Sequence, residues 1–411
     1  MKKPWEISIL DFTYELPADR IAQFPLEQRD QSKLLFYQGE DIQSYQFDKL
    51  PDLLPANSLV VVNSTKVVKA RLIFKNENGG KIELFCLEPA ESLPSFALNQ
   101  TGTSTWKTMV GGLKKWKQDY LHCPIPGYPN SILRAKLQSF SGNLAEVEFS
   151  WEPGQLTFSE VLENLGNVPL PPYMKREVEK SDEDRYQTTY NKYPGSVAAP
   201  TAGLHFTPQV LERIKVLGHQ MNEVCLHVGA GTFAPVKSKT MKDHPMHAEW
   251  LDVSMDFLLG LKKHIGNPVI AVGTTSLRTL ESLYWIGVKL SLGENLYGSE
   301  FLLSQWEPYE LPSSISLQES LSVLINYLKN NGEKKLIGQT QILIVPGYEF
   351  KVVNGLVTNF HQPNSTLLLL IASFVGEKWS EIYQYALAHQ YRFLSYGDSS
   401  FLLNRTSSIS M

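Results

Sequence analysis

Apolar and polar positions change rhythm twice along this chain. Leu59-Val-Val-Val62 is an unbroken apolar run closed by Asn63-Ser64-Thr65, and it predicts a buried strand ending in a turn. From residue 69 to 155 the apolar runs are short, at 70–75, 81–87, 106–110, 133–139 and 145–149. Turn formers separate them, including Asn78-Gly-Gly80, Gly111-Gly112 and Gly142-Asn143. That spacing predicts a small all-β barrel or sandwich, with no long amphipathic helix. After residue 155 strands and helices alternate. Residues 158–165 read as a helix, and Pro169, Pro171 and Pro172 then force an extended segment. A helix is predicted over 207–218, with Thr207 as its cap, Pro208 in its first turn and Gly218 at its end. Strands are predicted at 221–228, 268–272, 341–345 and 355–358. Helices are predicted from the second of these strands through Leu283, at 366–375 and at 380–391. Such alternation is the mark of an α/β layered domain with parallel pairing. The β-rich stretch interrupts it. The expected architecture is therefore a discontinuous α/β domain, 1–68 and 156–411, carrying an inserted small all-β barrel at 69–155. Residues 286–336 read as a further insertion with its own helix at 316–329.

Composition narrows the function classes. Of 411 residues, 38 are Lys or Arg and 42 are Asp or Glu, for a net charge of −4. A globally basic nucleic-acid binder is excluded; a local basic groove is not. Hydrophobic residues make up 43%, which excludes a wholly disordered chain. Cys86, Cys123 and Cys225 form no C-x-x-C pair, so reduced thiols are expected rather than a disulfide framework or a thiolate zinc site. The longest apolar stretch, 367–375, is far short of the ~20 residues a membrane span needs. The N-terminus has no apolar signal region, and a cytoplasmic protein is expected.

Candidate chemistry collects after the predicted strands. They run into Gly229-Ala-Gly231-Thr232, Gly273-Thr274-Thr275-Ser276, Pro346-Gly-Tyr348 and Asn359-Phe-His361. In open α/β sheets the ligand crevice lies outside the carboxyl ends of the strands. Thr274 to Ser276 suit a helix start whose N–H groups bind an anion, with Arg278 one turn in to clamp a carboxylate. The same residues also serve as an ordinary cap. Gly229 and Gly231 lack the rest of a dinucleotide fingerprint, and no nicotinamide cofactor is expected. Four of the nine histidines, His205, His227, His247 and His361, sit in loop motifs beside Gly, Thr or Asn. His244-Pro-Met-His247-Ala-Glu249 has metal-ligand residue types, but Pro245 breaks the helix that a paired-histidine zinc site uses, and no metal is expected. Cations alternate with rings at Lys114-Lys-Trp-Lys117, at Tyr173-Met-Lys175-Arg176 and at Arg185-Tyr186. That pairing suits single-stranded RNA, although a solvated charged face is the plainer account of 114–117.

Taken together these stretches resemble one family, the S-adenosylmethionine:tRNA ribosyltransferase-isomerases of queuosine biosynthesis. The matching blocks include Ala70-Arg71-Leu72, Gly79 to Glu83, Pro169 to Tyr173, Tyr186-Gln-Thr188, Gly195 to Thr207 and Leu226 to Phe233. Further along come Met246-His247 with Glu249, Ala271 to Ser276 with Glu281-Ser282, Pro346-Gly-Tyr348, Thr358-Asn-Phe-His361 with Ser365 to Leu367, Tyr391-Arg392-Phe393 and Ser395-Tyr-Gly-Asp398. The resemblance implies an α/β domain with an inserted β-barrel. It implies transfer and isomerisation of the ribosyl part of S-adenosylmethionine onto 7-aminomethyl-7-deazaguanine in the tRNA wobble position. Epoxyqueuosine-tRNA, adenine and methionine are then the products. S-adenosylmethionine is consumed as a substrate, and neither metal nor nicotinamide takes part. The expected partners are tRNA and S-adenosylmethionine, with the protein a monomer away from membranes.

That chemistry needs a base near C5′, a donor to departing adenine and exclusion of water. The expected catalytic set is His205, His227, His247, Glu249, His361 and Asp398. His205 or His227 is favoured as base, and Glu249 or Asp398 as its partner. Thr201, Gly203, Gly229, Gly231, Thr232, Thr274, Thr275, Ser276, Arg278, Tyr348 and Asn359 are the expected substrate contacts. Arg71, Tyr173, Lys175, Arg176, Arg185, Tyr186, Tyr391 and Arg392 are the expected RNA contacts. The sequence departs from the family where Asn63-Ser64-Thr65-Lys66 replaces Asn-Asp-Thr-Arg and where Ser400 replaces a usual Met. Two other readings stay open. One is a paralogue that binds S-adenosylmethionine or RNA with a different acceptor or without catalysis. The other is a metal-dependent hydrolase built on His244, His247 and Glu249.

Overall fold

A computed structural model describes residues 3–90, 92–152, 154–227, 229, 238, 240–294 and 301–404. Among these, the strands of the large sheet are β1 (Lys33–Gln38), β2 (Asp41–Gln46), β3 (Leu59–Asn63), β12 (Gln220–His227), β13 (Glu249–Ser254), β14 (Val269–Val272), β15 (Phe301–Leu303), β16 (Lys335–Thr340), β17 (Gly355–Asn359) and β18 (Ser399–Leu403). Their order is β15-β16-β13-β12-β3-β14-β17-β18-β1-β2. At its centre β12, β3, β14 and β17 run parallel, so their carboxyl ends open on one side. β3 shows why this strand is central. Its residues are all buried, and alternate side chains serve opposite faces: Leu59 and Val61 join one hydrophobic core, Val60 and Val62 another. The helix Gly273–Ser291 packs in the first core and the helix Pro208–Val216 in the second.

The second sheet holds β5 (Arg71–Lys75), β6 (Lys81–Pro89), β7 (Thr103–Gly111), β8 (Tyr120–Pro124), β9 (Ile132–Ser141) and β10 (Leu144–Glu152), in the order β5-β6-β7-β10-β9-β8. Every pairing is antiparallel, and the end strands β5 and β8 lie against each other, which makes a nearly closed barrel. β7 alternates exposed and buried positions and sends Trp106 and Val110 inward. The helix Phe158–Leu165, capped by Thr157 and Glu160, belongs to this core: Phe158 meets the rings of Trp106, Phe149 and Trp151 at 5.3–5.5 Å. A two-stranded pair, β4 (Thr65–Val67) with β11 (Tyr193–Ser196), completes the strands.

Two sequence expectations change. Residues 342–345 are buried but form no strand, because side chains take their backbone groups. Arg278 Nε donates to the Ile342 carbonyl, and Tyr309 Oη donates to Leu343 O and accepts from Val345 N. The strand expected there lies earlier, at β16. The helix after β14 runs on to Ser291 rather than ending at Leu283. The described helix of the 286–336 stretch packs in the main core. Leu321, Leu324 and Leu328 of the helix Leu317–Asn330 are buried there, and Gly287 approaches Ser320 so closely that any Cβ would collide with it. The hairpin β1–β2 and strand β8 had no distinct signature in the hydrophobic pattern. Among the described residues, no helix is long and apolar enough to cross a membrane.

Candidate active site

A cavity of about 110 Å³ opens at the carboxyl ends of β14 and β17. Its walls are the segment 198–202, the helix start Gly273 to Thr275, the segment 358–362, and Tyr173, Ser365, Leu367, Leu394 and Ser395. Gly273 has φ +89°, a left-handed conformation that turns the strand sharply into the helix. That helix has no side-chain cap. Ser276 Oγ donates back to the Val272 carbonyl at 2.8 Å, and the hydroxyl of Thr275 is buried without a partner among the described residues. Uncapped N–H groups, the positive end of a 19-residue helix and a free hydroxyl therefore meet at the cavity wall.

The β17 end supplies the opposite wall. His361 Nε2 lies 2.9 Å from Thr358 Oγ1, its N–H donates to Tyr383 Oη at 3.1 Å, and its carbonyl accepts from Tyr14 Oη. Burial lowers its pKa to about 3, so the ring is neutral at neutral pH. Asn359 Nδ2 lies 3.3 Å from His205 Nε2, and its Oδ1 is buried without a partner. With the amide donating, His205 carries its proton on Nδ1, 2.9 Å from Ser32 Oγ. Burial, with the charges of Arg392 and Arg29, lowers His205 to about 3. His205 thus holds Asn359 from behind and does not itself line the large cavity.

These histidines have a consequence for stability. In the unfolded chain they protonate near 6.5, while His205 and His361 in the fold resist protonation until about pH 3 and His227 until about pH 4. The unfolded state therefore binds more protons over this window, and stability falls as pH drops below 6.5, by up to about 1.4 kcal/mol per pH unit for each histidine. Urea unfolding between pH 7 and pH 5 is expected to show that loss, with a shallower slope for His361→Gln. An unchanged slope in the variant would contradict this.

Several expected site residues lie elsewhere. His227 is buried at the end of β12, its Nε2 3.5 Å from Cys225 Sγ and its other edge against Gly195, where any Cβ would collide with it. Burial lowers it to about 4, and it lines no part of the large cavity. Arg278 does not reach the cavity: its guanidinium is buried against Glu249. Burial opposes the Glu249 charge, but Arg278 and then His247, 3.4 Å away, hold its pKa below the ordinary glutamate range. Asp398 is a clamp rather than a proton carrier. Its Oδ1 accepts from Lys33 N and Arg392 Nη2, and its Oδ2 from Arg392 N. Tyr348 sits in the core, donating to buried Glu281 and accepting from Trp285 Nε1. Gly203 packs under Tyr190, where a Cβ would clash. Gly229 is off the cavity wall, while Gly231 and Thr232 lie outside the described residues. His244, His247 and Glu249 form no three-ligand group; among the described residues no metal-binding group of that kind occurs.

The RNA candidates divide as well. Tyr186 is fully buried against Tyr396, and buried Tyr391 bonds Ser44. Arg71 pairs with Glu83 inside the barrel sheet, and Arg176 pairs bidentately with buried Asp182. The two rings are buried, and the two guanidinium groups are already paired within the protein. Tyr173 lines the large cavity and bonds Ser395 Oγ at 2.5 Å. Lys175 is exposed. Arg185 and Arg392 line a smaller neighbouring cavity. The sequence reading missed Ser32, Arg29, Tyr14 and Glu281. The first three lie in segments without periodicity, and Glu281 is a buried helix residue whose carboxylate binds three backbone N–H groups of 351–353. The departures Ser64 and Lys66 do not line the large cavity: Ser64 is buried beneath Val224 O, and Lys66 is exposed.

A cavity at the carboxyl ends of parallel strands, with a helix N-terminus on one wall and a buried histidine on the other, is where α/β sheets carry their ligand crevices. Comparison with known proteins is more specific: residues 9–402 match the model of the queuosine biosynthesis protein family, and the chain belongs to that family. A relative named S-adenosylmethionine:tRNA ribosyltransferase-isomerase, from Legionella pneumophila (strain Lens), is 38% identical over 96% of this chain and 99% of its own length. One of the same name from Desulfitobacterium hafniense is 38% identical over the same shares. The crystal structure of an S-adenosylmethionine tRNA ribosyltransferase from Thermotoga maritima covers 96% of this chain and all of its own, at 26% identity and a TM-score of 0.46.

Proposed function

We infer that the chain carries out the S-adenosylmethionine:tRNA ribosyltransferase-isomerase reaction. In this reading it moves the ribosyl part of S-adenosylmethionine onto 7-aminomethyl-7-deazaguanine in the tRNA wobble position, releasing adenine and methionine. One observation carries it: the walls of the large cavity come almost entirely from the sequence blocks that mark the family. The sulfonium acidifies the C5′ hydrogens; His361, whose protonated form burial disfavours, takes one in passing and hands it to the departing adenine. The C5′ electron pair forms a C4′–C5′ double bond as the C4′–O4′ bond breaks, and O4′ becomes a C1′ carbonyl that expels adenine. The amine of the RNA base adds at C4′, the carbanion regenerated at C5′ closes on C1′, and the resulting alkoxide displaces methionine from C5′ to form the epoxide. The N–H groups of Gly273 to Thr275 and the Thr275 hydroxyl hold the methionine carboxylate, the role the sequence suggested for Arg278. Asn359 Oδ1, fixed by His205, accepts from an amino group of the bound nucleoside. Tyr173 offers a ring for its base. S-adenosylmethionine is a substrate, and no resident cofactor belongs to this reading. We place the protein in the cytoplasm, where both substrates are, acting as a monomer. Purified protein is tested with S-adenosylmethionine and tRNA bearing the precursor base. Adenine release that depends on that RNA supports the reading; ligand binding without adenine release favours a non-catalytic paralogue.

A further inference from the structure

Beside the large cavity, and sharing Ser395 with it, lies a smaller one lined by Arg29, Ser32, Arg185, His205 and Arg392. Three half-buried guanidinium groups meet there. Arg392 has a carboxylate partner, Asp398. Arg29 and Arg185 have none among the described residues and are held by main-chain carbonyls instead. Arg29 bonds the carbonyls of Gln187 and Asp184, and Arg185 those of Glu27 and Leu26. The Nε of Arg185 is buried without a partner among the described residues. The charges feel one another: burial and Arg185 both push the Arg29 pKa down. Gathering like charges around one half-buried space is costly unless an anion shares it, and arginine forks match the oxygens of a phosphate.

We propose that this smaller cavity is an oxyanion site that holds the phosphodiester flanking the nucleotide seated in the large cavity. The Ser395 boundary and the His205–Asn359 contact join the two spaces, so an anchored phosphate presents its own nucleotide to the large cavity. The proposal rests on the RNA substrate inferred above and adds Arg29, which the sequence did not single out.

The probe is an anticodon stem-loop RNA carrying 7-aminomethyl-7-deazaguanine, with and without a neutral methylphosphonate at the flanking position. Arg29→Gln, which keeps a donor toward Gln187, is expected to weaken stem-loop binding about tenfold and to reduce the salt slope by about one. S-adenosylmethionine affinity stays unchanged. The methylphosphonate RNA is expected to bind the unsubstituted protein as weakly as the normal RNA binds the variant, with no further loss when both changes are combined. That arm uses intact protein, so misfolding cannot mimic it. If the unsubstituted protein does not bind the stem-loop, the RNA reading fails and the site with it. If it binds and neither change matters, the site alone fails. If only S-adenosylmethionine affinity falls, the anion is the amino-acid carboxylate and the proposal is overturned.

Discussion

His361→Gln is expected to lower kcat by about 100- to 10,000-fold, the usual yield of one positioned proton-transfer group, with little change in KM. Glutamine still offers Thr358 a partner, so the fold is retained. Of the histidines favoured from sequence, His205 and His227 are enclosed by protein, while His361 lies on the cavity wall between Thr358 and the space the substrate fills. His205→Ala is expected to act at second hand. It releases Asn359 and raises KM as well as lowering kcat, and an asparagine at 205, able to accept from the Asn359 amide, recovers part of the loss. Single-turnover kinetics with bound RNA separates the two cases. A His361→Gln variant that turns over normally would remove this histidine from the chemistry.

Arg278→Ala is expected to destabilise the protein by about 3–5 kcal/mol, because it strands a buried carboxylate. The Glu249 side chain is wholly inaccessible and that of Arg278 is 5% exposed, so water cannot replace the lost charge. The Ile342 carbonyl also loses the donor that helps hold residues 342–345 in place. Pairing the change with Glu249→Gln is expected to recover much of the loss, which a double-mutant cycle in urea reads directly. Unchanged stability with lost S-adenosylmethionine affinity would instead give Arg278 the ligand-binding role read from sequence.

The parallel centre of the large sheet was legible because its strands carry apolar runs, continuous in β3 and β14, followed by Gly, Thr or Asn. The barrel was legible from its short apolar runs and the turn formers between them. The edge hairpin β1–β2 was not, since β2 is largely exposed and carries little apolar pattern. The false strand at 342–345 shows the limit of an apolar run: burial is visible in sequence, but the identity of the groups bonding its backbone is not. The same holds for the site. Thr274, Thr275, Asn359 and His361 stand where strand ends predict ligand contacts. Arg278 and Asp398 carry the right chemistry, yet their charges are already spent on Glu249 and on Arg392. Tyr186 and Tyr391 sit beside arginines in sequence, but their rings face inward. Residue type shows what a side chain is able to do; only packing shows what it is free to do.

The central claim is tested most directly by the mass of the RNA product. The protein is incubated with S-adenosylmethionine and tRNA bearing 7-aminomethyl-7-deazaguanine, and the digested nucleosides are analysed by mass spectrometry alongside released adenine. Epoxyqueuosine in equal amount to adenine is the predicted result. Unchanged precursor in the RNA, with S-adenosylmethionine bound but intact, would contradict it.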